Sequence, residues 1–375
     1  MLSIYRTLVA TFFTTVPLAI AQGNSLSVFP QTIFLPWIAP FSGPSTYTPS
    51  VRGSIFGTNF NFSIDTGSPG VLISSSLLLT VKLSSKNPTG WKFLDSSDIL
   101  YNGRFVDLNI TFCGSNGERA ISRVPVLVVT SIVKCPGYDV FKGNGVCPPE
   151  KLERQWSQIR RTVLYMGVGF GRNVPGSGIP YGTPDHNPLI NVIAPSKYKQ
   201  LFLRQGYTIS TKGVCLGLAG VNTNGVVWQK LEKMAGPDLR AWAPPLVSFT
   251  HDNSNNPVQA QALIDTGITQ MYIQSTPGLP LPNVTTKDPS PLPGTITRVK
   301  SGTKLVFAFP DFKKGVAGYD FVVGDTAFPS QPRYVQPVTS GSGPFVNTGR
   351  NFLYGFSIVF DAIAGRFGFI FAQCK

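Results

Sequence analysis

The sequence has few histidines, few acidic residues and, beyond its N-terminus, no long apolar run. The only histidines are His186 and His251, and no Cys-x-x-Cys occurs, which argues against a Cys/His zinc site. We interpret both histidines as surface loop residues rather than catalytic bases. After residue 21 no segment approaches the about 18 apolar residues of a membrane span, so no membrane partner is expected. The absence of a Gly-X-Y period excludes collagen.

Acidic residues are also scarce relative to basic ones. Lys and Arg number 32 against 18 Asp and Glu, which gives a formal net charge of +14. No long Lys/Arg run or nucleic-acid motif accompanies this charge, so we expect no nucleic-acid partner. A basic soluble surface and attraction to polyanions, such as cell-wall polymers or acidic substrates, both remain open. The 375 residues are 42% apolar and 13% charged, which predicts an ordered protein of about two domains.

Residues 1–21 predict secretion. Arg6 precedes an apolar run that ends in Ala19-Ile20-Ala21, a small-x-small cleavage site typical of signal peptides. The alternative, an uncleaved anchor, is disfavoured because the run is short for a membrane span. We therefore expect a secreted, extracellular glycoprotein. Its three N-x-S/T sequons are at Asn61, Asn109 and Asn283, with Asn283 expected to be the main glycosylated site.

A secreted protein can keep disulfides, and this chain has five cysteines. The odd number leaves at least one cysteine unpaired or paired with another molecule. Cys135 and Cys147 bracket a loop that contains Gly and Pro, and we predict a disulfide between them. The sequence leaves the connectivity of Cys113, Cys215 and Cys374 open.

The chain repeats one short motif. Ile-Asp-Thr-Gly occurs at residues 64–67 and again at residues 264–267. Apolar residues flank both copies, and Ile73 and Ile273 each follow the Asp by eight positions. A single Asp-Thr-Gly would be an ordinary turn, but two copies in matching apolar frames indicate duplication. Each copy predicts a strand, a tight turn and a second strand.

Two facing carboxylates give a chemical reason for the repeat. Asp65 and Asp265, brought within hydrogen-bond distance, cannot both ionise and would share one proton. The ionised carboxylate can take a proton from water while the protonated one donates to a carbonyl oxygen, which would hydrolyse an amide. The threonines can hydrogen-bond across to the other copy, and the glycines let the backbone turn behind each carboxylate. These supporting residues are Thr66, Gly67, Thr266 and Gly267.

With these two motifs the chain resembles the pepsin-like aspartic proteases, which are bilobal and carry one Asp-Thr-Gly in each lobe. Residues 165–171 are similar to the hydrophobic-hydrophobic-Gly segment that supports the first active loop, and Gly349 stands at the second such position. Ser68 matches the hydroxyl residue that usually follows the first motif. Residues 352–361 and 366–369 resemble the C-terminal strands of the family.

The resemblance implies an all-β protein, a bilobal pepsin-like double β-barrel with an active-site cleft between the lobes. We assign residues 22–195 to the N-terminal lobe and residues 196–375 to the C-terminal lobe. Asp65 and Asp265 would be the catalytic pair of an endopeptidase that works without a metal or other cofactor. The expected substrate is an extended peptide or protein, cleaved at acidic pH by a monomer.

Two positions depart from the family pattern. Ile268 stands where the family usually has Thr or Ser, so Asp265 is expected to lack one stabilising hydrogen bond. Arg350 stands where many relatives carry Asp. The residues from 22 to 55 also leave little room for a prosegment, which family members often have.

The family's flap, a β-hairpin with a Tyr beside the first Asp, is predicted at residues 99–106. Asn102-Gly103 is typical of a two-residue hairpin turn, and Tyr101 is the flap candidate, with an ordinary strand Tyr as the alternative. Elsewhere, residues 150–161 predict a short helix. Apolar patterns predict strands at residues 105–112, 124–132, 306–309 and 319–323.

Two functions of different classes remain open. The first is the secreted aspartic endopeptidase, which is favoured because both Asp-Thr-Gly triplets are intact. The second is a non-catalytic pepsin-like binding or inhibitor protein, because a fold does not fix a function. Ile268 and the poorly defined flap favour the second. A wall-bound structural protein is suggested by the charge alone.

Overall fold

The computed structural model describes ten stretches of the chain. The predicted signal peptide and Cys374 lie outside them, so the signal peptide stays a prediction and the pairing of Cys374 stays open. Within these stretches the protein is all-β, as predicted, with one short helix, α1 (Gly220–Thr223). No helix in them is long and apolar enough to cross a membrane. The described residues are 26–43, 47–94, 97–140, 142–156, 163–171, 182–195, 203–252, 254–287, 294–338 and 343–372.

The described residues form twenty-four strands, joined by turns and by 3₁₀ turns such as Arg350–Tyr354. In chain order the strands are β1 (Ile33–Pro36), β2 (Ser50–Ile55), β3 (Thr58–Asp65), β4 (Pro69–Ser74), β5 (Thr89–Leu94), β6 (Ile99–Cys113), β7 (Arg119–Lys134), β8 (Arg154–Gln155), β9 (Leu164–Val168), β10 (Val192–Pro195), β11 (Gly206–Ser210), β12 (Gly213–Leu216), β13 (Val227–Lys230), β14 (Leu246–His251), β15 (Val258–Leu263), β16 (Met271–Gln274), β17 (Asn283–Lys287), β18 (Thr295–Val299), β19 (Lys304–Phe309), β20 (Ala317–Val322), β21 (Val335–Pro337), β22 (Phe345–Asn347), β23 (Phe356–Asp361) and β24 (Arg366–Phe371).

Strands β2 to β10 form one sheet, here called the N-terminal sheet, in the order β10-β7-β4-β9-β3-β2-β6-β5, with β8 on β7. Because β6 also pairs with β7, the path through β7, β4, β9, β3, β2 and β6 closes on itself. The ring leaves few unpaired backbone groups at strand edges. Phe62 and Phe112 fill its interior, both fully buried.

Two further sheets contain the second half of the chain. The C-terminal sheet has the order β20-β19-β14-β15-β22-β16-β21, and the hairpin β17–β18 stands apart from it. The third sheet, here called the shared sheet, has the order β1-β12-β11-β23-β24-β13 and so joins β1 to late strands. Phe170, which follows β9, stacks on Phe360 of the shared sheet at 3.9 Å between ring centres. One continuous apolar core therefore runs through all three sheets.

Alternation of apolar and polar residues explains the strands that face solvent on one side. Val258, Ala260 and Ala262 of β15 are buried, whereas the glutamines between them are exposed. By contrast, every residue of β4 is buried, because β4 lies inside the sheet between β7 and β9. All four strands predicted from apolar patterns are confirmed, within β6, β7, β19 and β20.

Three local predictions are wrong. Asn102 and Gly103 do not form a hairpin turn but lie inside β6, at a register shift against β7. A Cβ at Gly103 would overlap the Val128 carbonyl, so glycine at this position lets β6 and β7 approach each other closely. The helix predicted over 150–161 is absent from its described part, where β8 pairs with β7 instead. Neither histidine is a surface loop residue: His186 is buried with its ring against Phe105, and His251 ends β14 with its side chain 12% exposed.

The predicted disulfide Cys135–Cys147 is confirmed. Cys113 is exposed and Cys215 is half-buried, and neither forms a disulfide among the described residues. The asparagines of the three sequons, Asn61, Asn109 and Asn283, are all exposed. Their glycosylation remains a prediction.

A buried ion pair fixes the shared sheet. Asp361 is fully buried and accepts hydrogen bonds from the Arg204 guanidinium at 3.0 Å and from Arg366 Nε at 3.0 Å. Its Oδ1 also accepts the backbone N–H groups of Ile363 and Ala364, which closes the turn between β23 and β24. Removing one partner of such a pair leaves the other charge buried and uncompensated.

We expect Asp361→Asn to lower the free energy of unfolding by about 3–5 kcal/mol, because Arg204 would keep its charge without a buried counter-charge. The matched control is Asp320→Asn, whose carboxylate pairs with Lys304 at the surface, where both side chains are nearly half exposed. That change should remove less than about 1 kcal/mol. Urea unfolding of the three proteins measures both values, and equal losses would contradict the assignment.

Candidate active site

The two Asp-Thr-Gly loops sit in the same strand arrangement. In the first, β3 enters the loop, β4 leaves it, and β9 lies between them, parallel to β3 and antiparallel to β4. In the second, β15 enters, β16 leaves, and β22 lies between them with the same directions. The predicted strand–turn–strand duplication is therefore confirmed. The structure adds the third strand of each unit, which the repeat in the sequence does not contain.

The two loops are joined through their threonines. Thr66 Oγ1 donates to the Ile264 carbonyl at 2.5 Å and accepts from the Thr266 N–H at 3.0 Å. Thr266 Oγ1 donates to the Ile64 carbonyl at 2.7 Å and accepts from the Thr66 N–H at 3.1 Å. Both threonines are buried, so each hydroxyl replaces its hydration with two hydrogen bonds to the other loop. This exchange fixes the distance and orientation of the two loops.

The glycines bring each loop against the opposite carboxylate. A Cβ at Gly67 would overlap the Asp265 carboxylate, and one at Gly267 would lie 2.6 Å from Asp65 Cγ. Gly67 lies in a turn, as expected, but neither glycine has a positive φ, so the backbone conformation alone does not require glycine. Glycine is required because a side chain would occupy the space of the facing carboxylate.

Asp65 lies at the end of β3 and is held by three donors. The Gly67 N–H donates to Asp65 Oδ1 at 2.6 Å, and Ser68 Oγ donates to Oδ2 at 3.3 Å. The Tyr165 hydroxyl, from the neighbouring β9, also donates to Oδ2. Burial, followed by the charge of Asp65, raises the pKa of Tyr165 well above its usual range, so its hydroxyl stays protonated.

Asp265 is held by a different set of donors. The Gly267 N–H donates to Asp265 Oδ1 at 2.7 Å, and Asn347 Nδ2 donates to Oδ2 at 2.7 Å. The Gly349 N–H donates to Asn347 Oδ1 at 3.1 Å, which fixes the orientation of the amide. Asn347 thus supplies a hydrogen bond that the sequence, with Ile268 in place of a hydroxyl residue, predicted Asp265 to lack.

Tyr165 and Asn347 occupy equivalent positions. Tyr165 precedes Met166, which pairs with Ile64, and Asn347 pairs with Leu263. In both units the polar residue of the middle strand therefore donates to Oδ2 of its own aspartate. Sequence reasoning missed both residues as contacts of the carboxylates, because Tyr165 was interpreted as part of an apolar supporting segment. The only sequence signal for these contacts is the polar side chain at each of the two equivalent positions, Tyr165 and Asn347.

Asp265 differs from Asp65 electrostatically. Burial, followed by the charge of Asp65, raises the pKa of Asp265 to about 7, although the Asn347 and Gly267 hydrogen bonds oppose the shift. Asp265 is therefore the member of the pair that holds a proton at acidic and near-neutral pH. A protonated carboxyl beside an ionised one provides both a proton donor and a proton acceptor in one site.

Two buried cations flank the pair. Lys92 and Arg350 are each 2% exposed. The Lys92 ammonium donates to the Pro69 carbonyl at 2.5 Å and lies 4.4 Å from the centre of the Tyr165 ring. Arg350 donates to the carbonyls of Gly267 at 2.8 Å and of Tyr47. Burial lowers the pKa of Arg350, and the carboxylates of Asp265 and Asp65 oppose that shift. The guanidinium therefore interacts electrostatically with both carboxylates.

Tyr101, the flap candidate, lies on β6 opposite Lys92 of β5. It lines an apolar cavity of about 260 Å³ that reaches Tyr165. Tyr101 is thus near the first loop, although on the second strand of its hairpin and not at a tip. The other residues around the cavity are Leu72, Leu94, Ile99, Ile132, Trp156, Val163 and Leu164.

Neither histidine shows a hydrogen bond to Asp65 or Asp265. His186 Nδ1 contacts Asp185 and Thr183, and His251 Nδ1 contacts Asp252. In the part of the chain that the structure covers, no group of three or more His, Cys, Asp or Glu residues is placed to hold a metal ion.

Comparison with protein-family models and with curated proteins gave no match. The geometry of these residues is therefore the basis for the function.

We expect Thr66→Val to lower the free energy of unfolding by about 2–4 kcal/mol. Valine keeps the shape of threonine, but it leaves the buried Thr266 N–H and Ile264 carbonyl without their partner. Thr66→Ser is the matched control, since it keeps the hydroxyl and should retain most of the stability. Urea unfolding measures both. A valine variant as stable as the serine variant would show that the exchange does not hold the loops.

We expect Asp265→Asn to change how stability depends on pH. The folded pKa of Asp265, about 7, lies above the unfolded value of about 3.9, so the folded state binds the extra proton between them. This stabilisation is complete below about pH 4 and is lost as the pH rises through about 7. The wild type should lose on the order of 2–4 kcal/mol over that range relative to the variant.

Urea unfolding at a series of pH values measures this difference. Asp107→Asn, at a solvent-exposed ion pair with Arg123, is the control and should keep the wild-type slope. A parallel pH profile for wild type and Asp265→Asn would refute the raised pKa.

Proposed function

We propose that the protein is a secreted aspartic-type endopeptidase with a pepsin-like, bilobal fold. Residues 22–195 and 196–375 would form the two lobes, and the pair Asp65 and Asp265 would lie in the cleft between them. The observation that carries the proposal is the reciprocal threonine exchange, which holds two buried carboxylates against each other's glycines. A protein that needed these loops only for packing could avoid the repulsion by losing one aspartate.

In the proposed reaction a water molecule attacks the carbonyl carbon of the scissile peptide bond. Asp65 accepts one proton of the water, and Asp265 donates its proton to the carbonyl oxygen. The tetrahedral diol then collapses: the C–N bond breaks, the nitrogen takes the proton from Asp65, and Asp265 recovers a proton from a diol hydroxyl. Protons and electrons balance without a cofactor.

The surrounding groups support this division of roles. Tyr165 and Ser68 donate hydrogen bonds to Asp65, and the Lys92 ammonium lies beside Tyr165. Asp265 has fewer donors and a raised pKa, which favours the protonated form. Substrate would bind extended, with its backbone along strand edges.

The second candidate is a non-catalytic binding or inhibitor protein of the same fold. The Tyr165 hydroxyl favours it, because that group contacts Asp65 Oδ2, where a catalytic water would also have to bind. The two candidates differ in one measurable way. A peptidase needs both carboxylates, whereas a binding protein would tolerate the loss of either negative charge without losing its partner.

Cleavage of a denatured protein by the purified mature chain, from about pH 3 to about pH 7, tests the proposal. We expect cleavage that a statine-containing inhibitor blocks and that Asp65→Asn reduces at least about 100-fold, since the general base is lost. Asp320→Asn, an exposed carboxylate on β20, is the control and should cleave like the wild type. Absence of cleavage by folded wild-type protein at every pH would reject the peptidase and favour the binding protein.

A further inference from the structure

The two sides of the carboxylate pair differ in chemistry. Next to Asp65, the cavity of about 260 Å³ is lined mainly by apolar and aromatic side chains, and Tyr165 connects it to the carboxylate. The matching region next to Asp265 is polar. This contrast matters because the two units otherwise share the same strand arrangement.

The polar region starts at Asn347, whose side chain points at Asp265. Tyr272 of β16 pairs with Asn347 in antiparallel register, so both side chains lie on the same face of the C-terminal sheet. Gln270 Nε2 donates to the Tyr272 hydroxyl at 2.9 Å and extends this face. On the other side of β16, Gln336 of β21 pairs with Tyr272, so the polar face continues onto β21.

The hairpin β17–β18 adds a cation at the end of this polar face. Tyr334 immediately precedes β21, and its carbonyl accepts a hydrogen bond from the Met271 N–H of β16 at 3.0 Å. The Arg298 guanidinium of β18 is stacked over the Tyr334 ring at 4.4 Å from its centre. Two strand spacings, about 10 Å, separate the backbone of β22 from that of β21. An extended peptide covers that distance in about three residues.

Arg298 lacks an anionic partner among the described residues. No ion pair joins it to a carboxylate there, and its buried Nε has no acceptor. Thr286 Oγ1, on the same face of the hairpin, is also buried without a hydrogen-bond partner in the described part of the chain. A buried polar group without a partner calls for a water, an ion or a ligand group, and these two groups lie on one face of the hairpin.

We propose that Arg298 is a specificity-determining residue that binds a carboxylate side chain of the substrate, an Asp or a Glu, a few residues from the scissile bond. The guanidinium is a fork of donors that matches a carboxylate, and stacking on Tyr334 fixes its plane. A large apolar side chain on the other side of the scissile bond would fill the cavity beside Tyr165. This inference rests on the proposed peptidase function, and the net charge of +14 suits an acidic substrate.

The test is a set of peptides that share one cleavable core. Asp, Gln or Lys is placed in turn at each of the first four positions on either side of the scissile bond, and kcat/KM is measured. For wild type we expect Asp to exceed Gln at least about tenfold at one or more positions on one side only. Arg298→Gln should remove that preference, and Arg298→Glu should transfer it to Lys.

Lys300→Gln is the matched control, because it removes one positive charge from an exposed residue two positions away. It should leave the Asp preference unchanged, whereas a merely long-range effect of charge would reduce it equally. Arg298→Lys keeps the charge but not the fork, and it should retain only part of the preference. Unfolding midpoints of all variants establish that they are folded. Equal rates for Asp and Gln peptides in wild type would overturn the proposal.

Failure of the peptidase function is distinguishable from failure of this inference. If wild type cleaves no peptide, affinities are measured for statine-containing peptides that cannot be hydrolysed and that carry Asp or Gln at the same positions. Tighter binding of an Asp peptide, lost in Arg298→Gln, would support the subsite even though the peptidase proposal had failed. Equal affinities would overturn the subsite as well.

Discussion

Two carboxylates buried side by side repel each other and lose their hydration, and the structure around Asp65 and Asp265 offsets both effects. The backbone N–H groups of Gly67 and Gly267 donate to the Oδ1 atoms, and Tyr165 and Asn347 donate to the Oδ2 atoms. Raising the pKa of Asp265 to about 7 removes one of the two charges over much of the pH range. The Arg350 guanidinium interacts electrostatically with both carboxylates, which offsets part of the cost of burying the negative charge that remains.

The threonine exchange makes this arrangement possible. Thr66 and Thr266 connect the loops through four hydrogen bonds between backbone and hydroxyl groups, and none of these bonds involves a charged group. The loops are therefore held together independently of the protonation of the aspartates. A change of pH can alter the charge of the pair without separating the two halves of the site.

The two units have kept one backbone geometry while their side chains have diverged. The middle strands β9 and β22 place Tyr165 and Asn347 against equivalent oxygens. Tyr165 lines an apolar cavity, whereas Asn347 belongs to a polar face. Ser68 keeps a hydroxyl beside Asp65, whereas Ile268 provides only its carbonyl, which accepts from the Arg350 N–H at 2.9 Å and from Arg350 Nε at 3.2 Å. Duplication thus accounts for the symmetry of the acid–base pair, and divergence accounts for an asymmetric environment on its two sides.

The sequence by itself determined the all-β class, the disulfide Cys135–Cys147, and the repeat that marks Asp65 and Asp265, because alternation, loop composition and spacing are local properties. It did not reveal Tyr165, Asn347, Lys92 or Arg298 as contacts of the site or its surroundings. These residues lie far along the chain, and only strand pairing brings them to the loops. Asn102-Gly103 shows the same limit, since a good local turn signal was overridden when β6 paired across its length with β7. Local chemistry selects the groups that can react; tertiary pairing decides which of them meet, because hydrogen bonds between strands depend on register and not on neighbouring residues in sequence.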